Sequence, residues 1–120
     1  MESFRELIVW QRGIQLVKSV YDETRGFPKE EIFGLTMQLR RCAISIPSNI
    51  AEGYGRQHTS EYIRFLQIAR GSLNELITQI EIARSLKYLQ DIRNLITDCD
   101  ELGRMLNSMV KKLSENPRKF

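Results

Sequence analysis

The chain has 120 residues, 42% apolar and 28% charged; that is the balance of an ordinary globular protein, and the length supports one core without disulfide staples. Its two cysteines are too few for a secreted disulfide framework, and eighteen basic against fifteen acidic residues give only +3, short of the dense basic surface of a dedicated nucleic-acid binder. No apolar run approaches the ~18 to 20 residues that span a bilayer, and Met1-Glu-Ser-Phe-Arg-Glu lacks the basic start and apolar stretch of a signal peptide, so one cytoplasmic domain over residues 1–120, away from membranes, is expected.

Helical periodicity is the strongest signal. In the first segment Leu7, Trp10, Ile14, Val17 and Tyr21 recur at spacings of 3, 4, 3 and 4, with Leu16 and Val20 widening the stripe. Thr24-Arg-Gly-Phe-Pro ends this helix, and Pro28 fits the first position of the next one. The second segment repeats the spacing with Ile32, Leu35, Leu39, Cys42 and Ile46. Pro47 then predicts a kink or a restart, because it removes a backbone donor and crowds the preceding turn. Ser45 is placed to cap such a restart, and Gly53-Tyr-Gly-Arg56 reads as a stop and a loop. The third segment is the cleanest. It opens at His58 or Thr59, and Tyr62, Leu66, Ala69, Leu73, Leu76, Ile80 and Ala83 follow. Gly71 inside it suggests close approach of another helix. The fourth opens at Asp91, a fitting N-cap, with Leu89 stapling back. Ile92, Leu95, Cys99, Leu102, Leu106, Met109 and Leu113 form its stripe, and the period is lost over about 114–120, which predicts a frayed tail. No segment alternates as a strand does. The expectation is all-α: an antiparallel, up-down-up-down four-helix bundle.

The inventory for catalysis is thin. His58 is the sole histidine, and Cys42 and Cys99 sit on core stripes. No His, Cys, Asp and Glu set has zinc or di-iron spacing, so no metal, cofactor or catalytic residue is assigned. Gly53-Tyr54-Gly55-Arg56 lacks the strand and Lys-Ser/Thr of a phosphate-binding loop. Charge is more informative. From Thr36 to Leu73, five arginines (Arg40, Arg41, Arg56, Arg64 and Arg70) face only Glu52 and Glu61. This basic block reads either as a solvated face or as a patch for nucleic acid or an acidic partner.

Apolar residues also lie off the seams. Phe33, Met37 and Ile44 fall on one face of the second segment, Ile50 and Tyr54 continue it past Pro47, and Phe65 and Ile68 are off-seam on the third. They mark either a subunit interface or a wide core face. In the Ser45-to-Gly53 stretch, Ser45, Pro47, Ser48, Asn49, Glu52 and Gly53 are expected to be structural, with the polar members satisfying groups freed at the proline.

The run from Gln38 to Arg56, Gln-Leu-Arg-Arg-Cys-Ala-Ile-Ser-Ile-Pro-Ser-Asn-Ile-Ala-Glu-Gly-Tyr-Gly-Arg, resembles the central signature of the 23S rRNA intervening-sequence proteins, the S23 family. Leu7-Ile-Val-Trp-Gln11, Phe27-Pro28-Lys29-Glu30-Glu31 and Ala69-Arg-Gly-Ser-Leu73 are similar to its other helices, so the likeness covers about residues 4–113. It implies a four-helix bundle assembled as a homopentamer, with no known enzymatic activity and an RNA-related role. A related branch, the accessory proteins of diversity-generating retroelements, implies binding of RNA or DNA and of a reverse transcriptase; the weak net charge here departs from that branch. Two readings follow: an oligomeric, non-enzymatic protein that meets nucleic acid through the Arg block, or a protein-interaction scaffold.

Overall fold

A helix is stable in water when apolar residues recur every three or four positions, because one face then finds a core. The structure, a computed structural model, describes residues 3–117 and realises this rule four times. A 3-10 turn at Phe4–Glu6 leads into α1 (Ile8–Thr24), and a second at Lys29–Glu31 precedes α2 (Leu35–Tyr54). The longer α3 (Thr59–Ser85) and α4 (Arg93–Glu115) complete the chain, and no strand occurs among the described residues.

Each helix packs on two neighbours around a ring, α1 on α2, α2 on α3, α3 on α4 and α4 on α1, and the diagonal pairs stay apart. Short connections make the neighbours antiparallel. At one end Phe27, between α1 and α2, meets Tyr88, between α3 and α4, with ring centroids 5.3 Å apart. At the other end Tyr54 of α2 meets Tyr62 of α3 edge-on at 6.1 Å. Along α3, Tyr62, Leu66, Ala69, Leu73, Leu76, Ile80 and Ala83 are all fully buried, as the period requires. Along α4, Ile92, Leu95, Cys99, Leu102, Leu106 and Leu113 are buried while Met109 is partly so. Leu89 is buried ahead of α4, whose N-cap is Ile92 and not the expected Asp91; Asp91 Oδ1 accepts the Arg93 N–H at 3.0 Å, which satisfies one free donor of the first turn.

Four further expectations need correction. The buried line of α1 is Val9, Gly13, Leu16, Val20 and Thr24, whereas Trp10, Ile14, Val17 and Tyr21 are only half-buried. Gly13 and Thr24 carry no strong apolar signal, so periodicity rotated the core face away from them. Pro28 does not open a helix: the 3-10 turn follows it, and α2 starts only at Leu35, which leaves Ile32 and Phe33 on an exposed turn. Glu31 causes this, because its Oε1 accepts the Leu35 N–H at 3.1 Å and so starts the helix there. Next, of the kink or restart expected at Pro47 the restart does not occur: α2 is one helix to Tyr54. Pro47 packs on Gly13 of α1, where an added Cβ would lie 3.2 Å away, and the Ser45 hydroxyl donates back to the Cys42 carbonyl at 2.6 Å instead of capping a new helix. Finally, Ser114 and Glu115 are still helical; of the expected frayed tail, residues 118–120 lie outside the described ones.

Gly53 takes the close-approach role expected of Gly71. Gly53 lies inside the last turn of α2, and a Cβ there would sit 2.7 Å from Phe65 Cβ, so α2 and α3 touch because it is glycine. Gly71 is exposed with nothing within 4 Å of a Cβ.

Candidate interaction surfaces

The basic block does not form one surface. A guanidinium needs several acceptors or a ring face once it leaves bulk water, and three of the five arginines find these within the chain. Arg40 lies over the Tyr21 ring at 4.4 Å and donates from Nε to Thr24 Oγ1 at 2.9 Å, which fixes it to the α1–α2 seam. Arg70 packs beside Gly103 and donates to Asn74 Oδ1 at 2.6 Å, on the α3–α4 seam. Those two seams are on different sides of the ring. Arg56 bonds Glu52 at 3.0 Å, reaches Glu61 at 3.9 Å and covers the Phe65 ring at 4.7 Å. Only Arg41 and Arg64 remain exposed without a hydrogen bond or ion pair among the described residues, and Arg64 lies 6.0 Å from the Phe65 ring.

The off-seam apolar residues also separate. Ile50 is 0% exposed and belongs to the core of its own chain, so it is not an interface residue. Its i−4 and i+3 neighbours Ile46 and Gly53 are buried with it, because the α2 face toward α3 is broader than one stripe. Tyr54 and Phe65 are half-buried in the ring and cation contacts above, and Met37 is half-buried beside Arg41. Phe33 and Ile44 stay open, at 83% and 41% exposure.

A second apolar face appears where the sequence placed core. Phe4, Trp10, Ile14 and Val17 from the α1 side and Ile44, Pro47 and Ala51 from α2 line an open groove of about 320 Å³. Phe4 and Trp10 meet edge-on at 5.4 Å, which sets one wall. The floor is Pro47, brought close by Gly13. Ser48 lies on the rim, and Asn49 on the far side of α2 donates to the Ser45 carbonyl at 2.7 Å. In the Ser45-to-Gly53 stretch Ile46, Pro47, Ile50 and Gly53 are buried, while Ser48 and Glu52 are exposed.

The chemistry-bearing residues are held out of reaction. Cys42 donates to the Ser72 carbonyl at 3.0 Å, and burial, then the neighbouring Glu75 carboxylate, pushes its thiol up to about 11. Burial, then Asp100 and Asp98, pushes Cys99 up to about 12. Both thiols are thus protonated at neutral pH and poor nucleophiles. The His58 carbonyl accepts the Glu61 and Tyr62 N–H groups, each at 3.1 Å, at the start of α3. Among the described residues no group of three His, Cys, Asp or Glu is placed to hold a metal ion, and no helix is long and apolar enough to cross a membrane.

Comparison with known proteins bears on both fold and family. The family model described as 23S rRNA-intervening sequence protein matches residues 5–108. No curated protein matches the chain. The crystal structure of a protein with unknown function from the S23 ribosomal protein family of Bacteroides thetaiotaomicron is similar, with a TM-score of 0.78 at 21% identity. The alignment covers 87% of this chain and 96% of that one, and at such identity it speaks for the fold alone.

Proposed function

The chain belongs to the 23S rRNA-intervening sequence protein family, and from that membership we propose that it is a non-enzymatic helical scaffold that acts by associating with copies of itself through its apolar surface. The observation that carries this reading is the open groove between α1 and α2. A helix of a monomeric bundle needs one apolar stripe. Here α1 carries two: Val9 to Thr24 inside, and Trp10, Ile14 and Val17 along the groove. A run of half-buried apolar side chains that opens to solvent beside the exposed Ile44 is the kind of surface a partner can cover. The pentamer implied by the resemblance is one closed form of such an assembly, and a protein partner, for which the resemblance offers a reverse transcriptase, would meet the same surfaces.

RNA is the second reading, supported by the exposed Arg41 and Arg64 on a chain of net charge +3. Light scattering of the purified chain at micromolar concentration tests the first reading: a multiple of the monomer mass is expected, and a monomer mass overturns it. A fluorescence-anisotropy titration with structured RNA and duplex DNA, at about 50 and 200 mM salt, tests the second. Binding that falls steeply with salt, and falls alike for both ligands in Arg41→Ala/Arg64→Ala, would support it, since phosphate contacts carry little sequence information. No binding at the lower salt rejects it.

A further inference from the structure

The turn ahead of α2 and the groove between α1 and α2 are complementary, and one chain cannot bring them together. Phe33 is 83% exposed and Ile32 56%. The turn that carries them is pinned from two directions. Glu31 accepts the Leu35 N–H at 3.1 Å with one carboxylate oxygen, and the Tyr88 hydroxyl at 2.9 Å with the other. An aromatic on a pinned turn has little further freedom to lose on burial, which is the property of an interface anchor.

The groove has the size of a receptor for it. Its volume is about 320 Å³, and an apolar cavity of about 150 Å³ takes up benzene. A phenyl ring and an adjacent aliphatic side chain therefore fit. The geometry forbids a contact within one chain. From Leu35 to Pro47 at the groove floor, α2 advances about 18 Å at 1.5 Å per residue, beyond the reach of a side chain at position 33.

We propose that Ile32 and Phe33 of one copy seat in the α1–α2 groove of a second copy. This rests on the self-association proposed above and says where it occurs. Knob and groove are different surfaces and every copy offers both, so the contact closes as a reciprocal pair or runs head to tail around a ring. A buried Phe removes about 150 to 250 Å² from water, and the groove loses a similar area. Each copy makes the contact twice, once with its knob and once with its groove. A reciprocal pair therefore buries roughly 600 to 1,000 Å², and each junction of a ring about half that, the range of weak, reversible association.

Sedimentation equilibrium of the full chain tests the pairing with Phe33→Glu, Ile44→Glu and their equimolar mixture. Both positions are exposed, so the helical circular dichroism and thermal midpoint are expected to hold; Phe33→Ser serves as a second knob variant should Glu disturb the turn. Each variant alone is expected to weaken association about thirtyfold or more, the effect of losing one anchor residue. The mixture is expected to form 1:1 complexes more strongly than either variant alone and less strongly than the wild type, because only the knob of Ile44→Glu in the groove of Phe33→Glu is restored, one of the two contacts. If the wild type associates and either variant leaves that association unchanged, or the mixture associates no more strongly than either variant alone, the knob-and-groove pairing is wrong while self-association stands. A wild type that stays monomeric overturns both.

Discussion

Replacing glycine by alanine at two positions should shift stability in opposite directions. In a helix interior the change gains about 1 kcal/mol of backbone propensity, wherever space allows. At Gly71 a Cβ meets nothing within 4 Å, so that gain should appear almost undiminished. At Gly53 the Cβ would lie 2.7 Å from Phe65 Cβ, 3.1 Å from Tyr62 Cδ1 and 3.2 Å from the Tyr62 carbonyl oxygen. Carbon atoms rest near 3.5 to 4.0 Å apart, so α2 and α3 must separate by roughly 0.8 Å. The atom in the way is a Cβ fixed to backbone, and a rotamer change does not move it. Overpacking of this kind costs about 1 to 3 kcal/mol, often at the upper end when backbone must shift. With the propensity gain subtracted, Gly53→Ala should lose about 1 to 2 kcal/mol. For a chain of this length that lowers the melting temperature by roughly 3 to 10 °C, while Gly71→Ala raises it by a few degrees. Thermal and urea unfolding at one fixed protein concentration measure both. Equal signs at the two positions would refute the reasoning. A loss at Gly71 in particular would mean that a second chain already occupies that face.

Two further outcomes follow from the same contacts. Asn49→Ala removes the bond to the Ser45 carbonyl, a short local bond to a carbonyl that already faces a helical N–H, so urea unfolding should show a loss of about 1 kcal/mol; an unchanged stability would mean that Asn49 serves a partner instead. Cys42 and Cys99 are held protonated up to about 11 and about 12, above their ordinary value near 9. The unfolded chain releases those protons first, so their contribution to stability is complete below about pH 9 and is lost as pH rises toward 11 to 12. Native thiols should also resist a thiol reagent at pH 8 until the chain unfolds, and rapid labelling of the native protein would contradict their burial.

How much the sequence reveals varies from helix to helix, and the reason is physical. In α3 every buried position is apolar, so the period and the core coincide. The same holds for α4 apart from Gly103, where Arg70 packs instead of a side chain from α4 itself. In α1 two of the five buried positions are Gly13 and Thr24, and the strongest apolar residues lie beside them on the groove side. Periodicity reports that a helix has an apolar face; it does not report whether that face meets its own chain or another surface. The start of α2 was hidden for a different reason. It depends on Glu31, which is itself held by Tyr88, 57 residues away in sequence. The Arg block failed likewise: neighbours in sequence such as Arg40 and Arg41 point to different surroundings, and the partners that engage Arg40 come from α1. Clustering along the chain did not become clustering in space.

The two faces of the Ser45-to-Gly53 stretch have separate consequences. The inner face, Ile46, Ile50 and Gly53, is buried against the bundle, and Gly53 sets the approach of α3. The outer face, with Ile44, Pro47, Ser48 and Ala51, forms one wall and the floor of the groove. Pro47 belongs to both, since it is buried in the seam with Gly13 and also lines the groove. A helix can serve two partners in this way because residues three or four apart share a face while those between them look elsewhere. Changes at Ile50 or Gly53 should therefore alter folding stability first. Changes at Ile44 or Ser48 should alter association and leave the fold of the single chain in place. The proline at the junction removes one helical hydrogen bond, and its fixed ring, packed on Gly13, presents a flat floor without rotamer freedom to lose on binding.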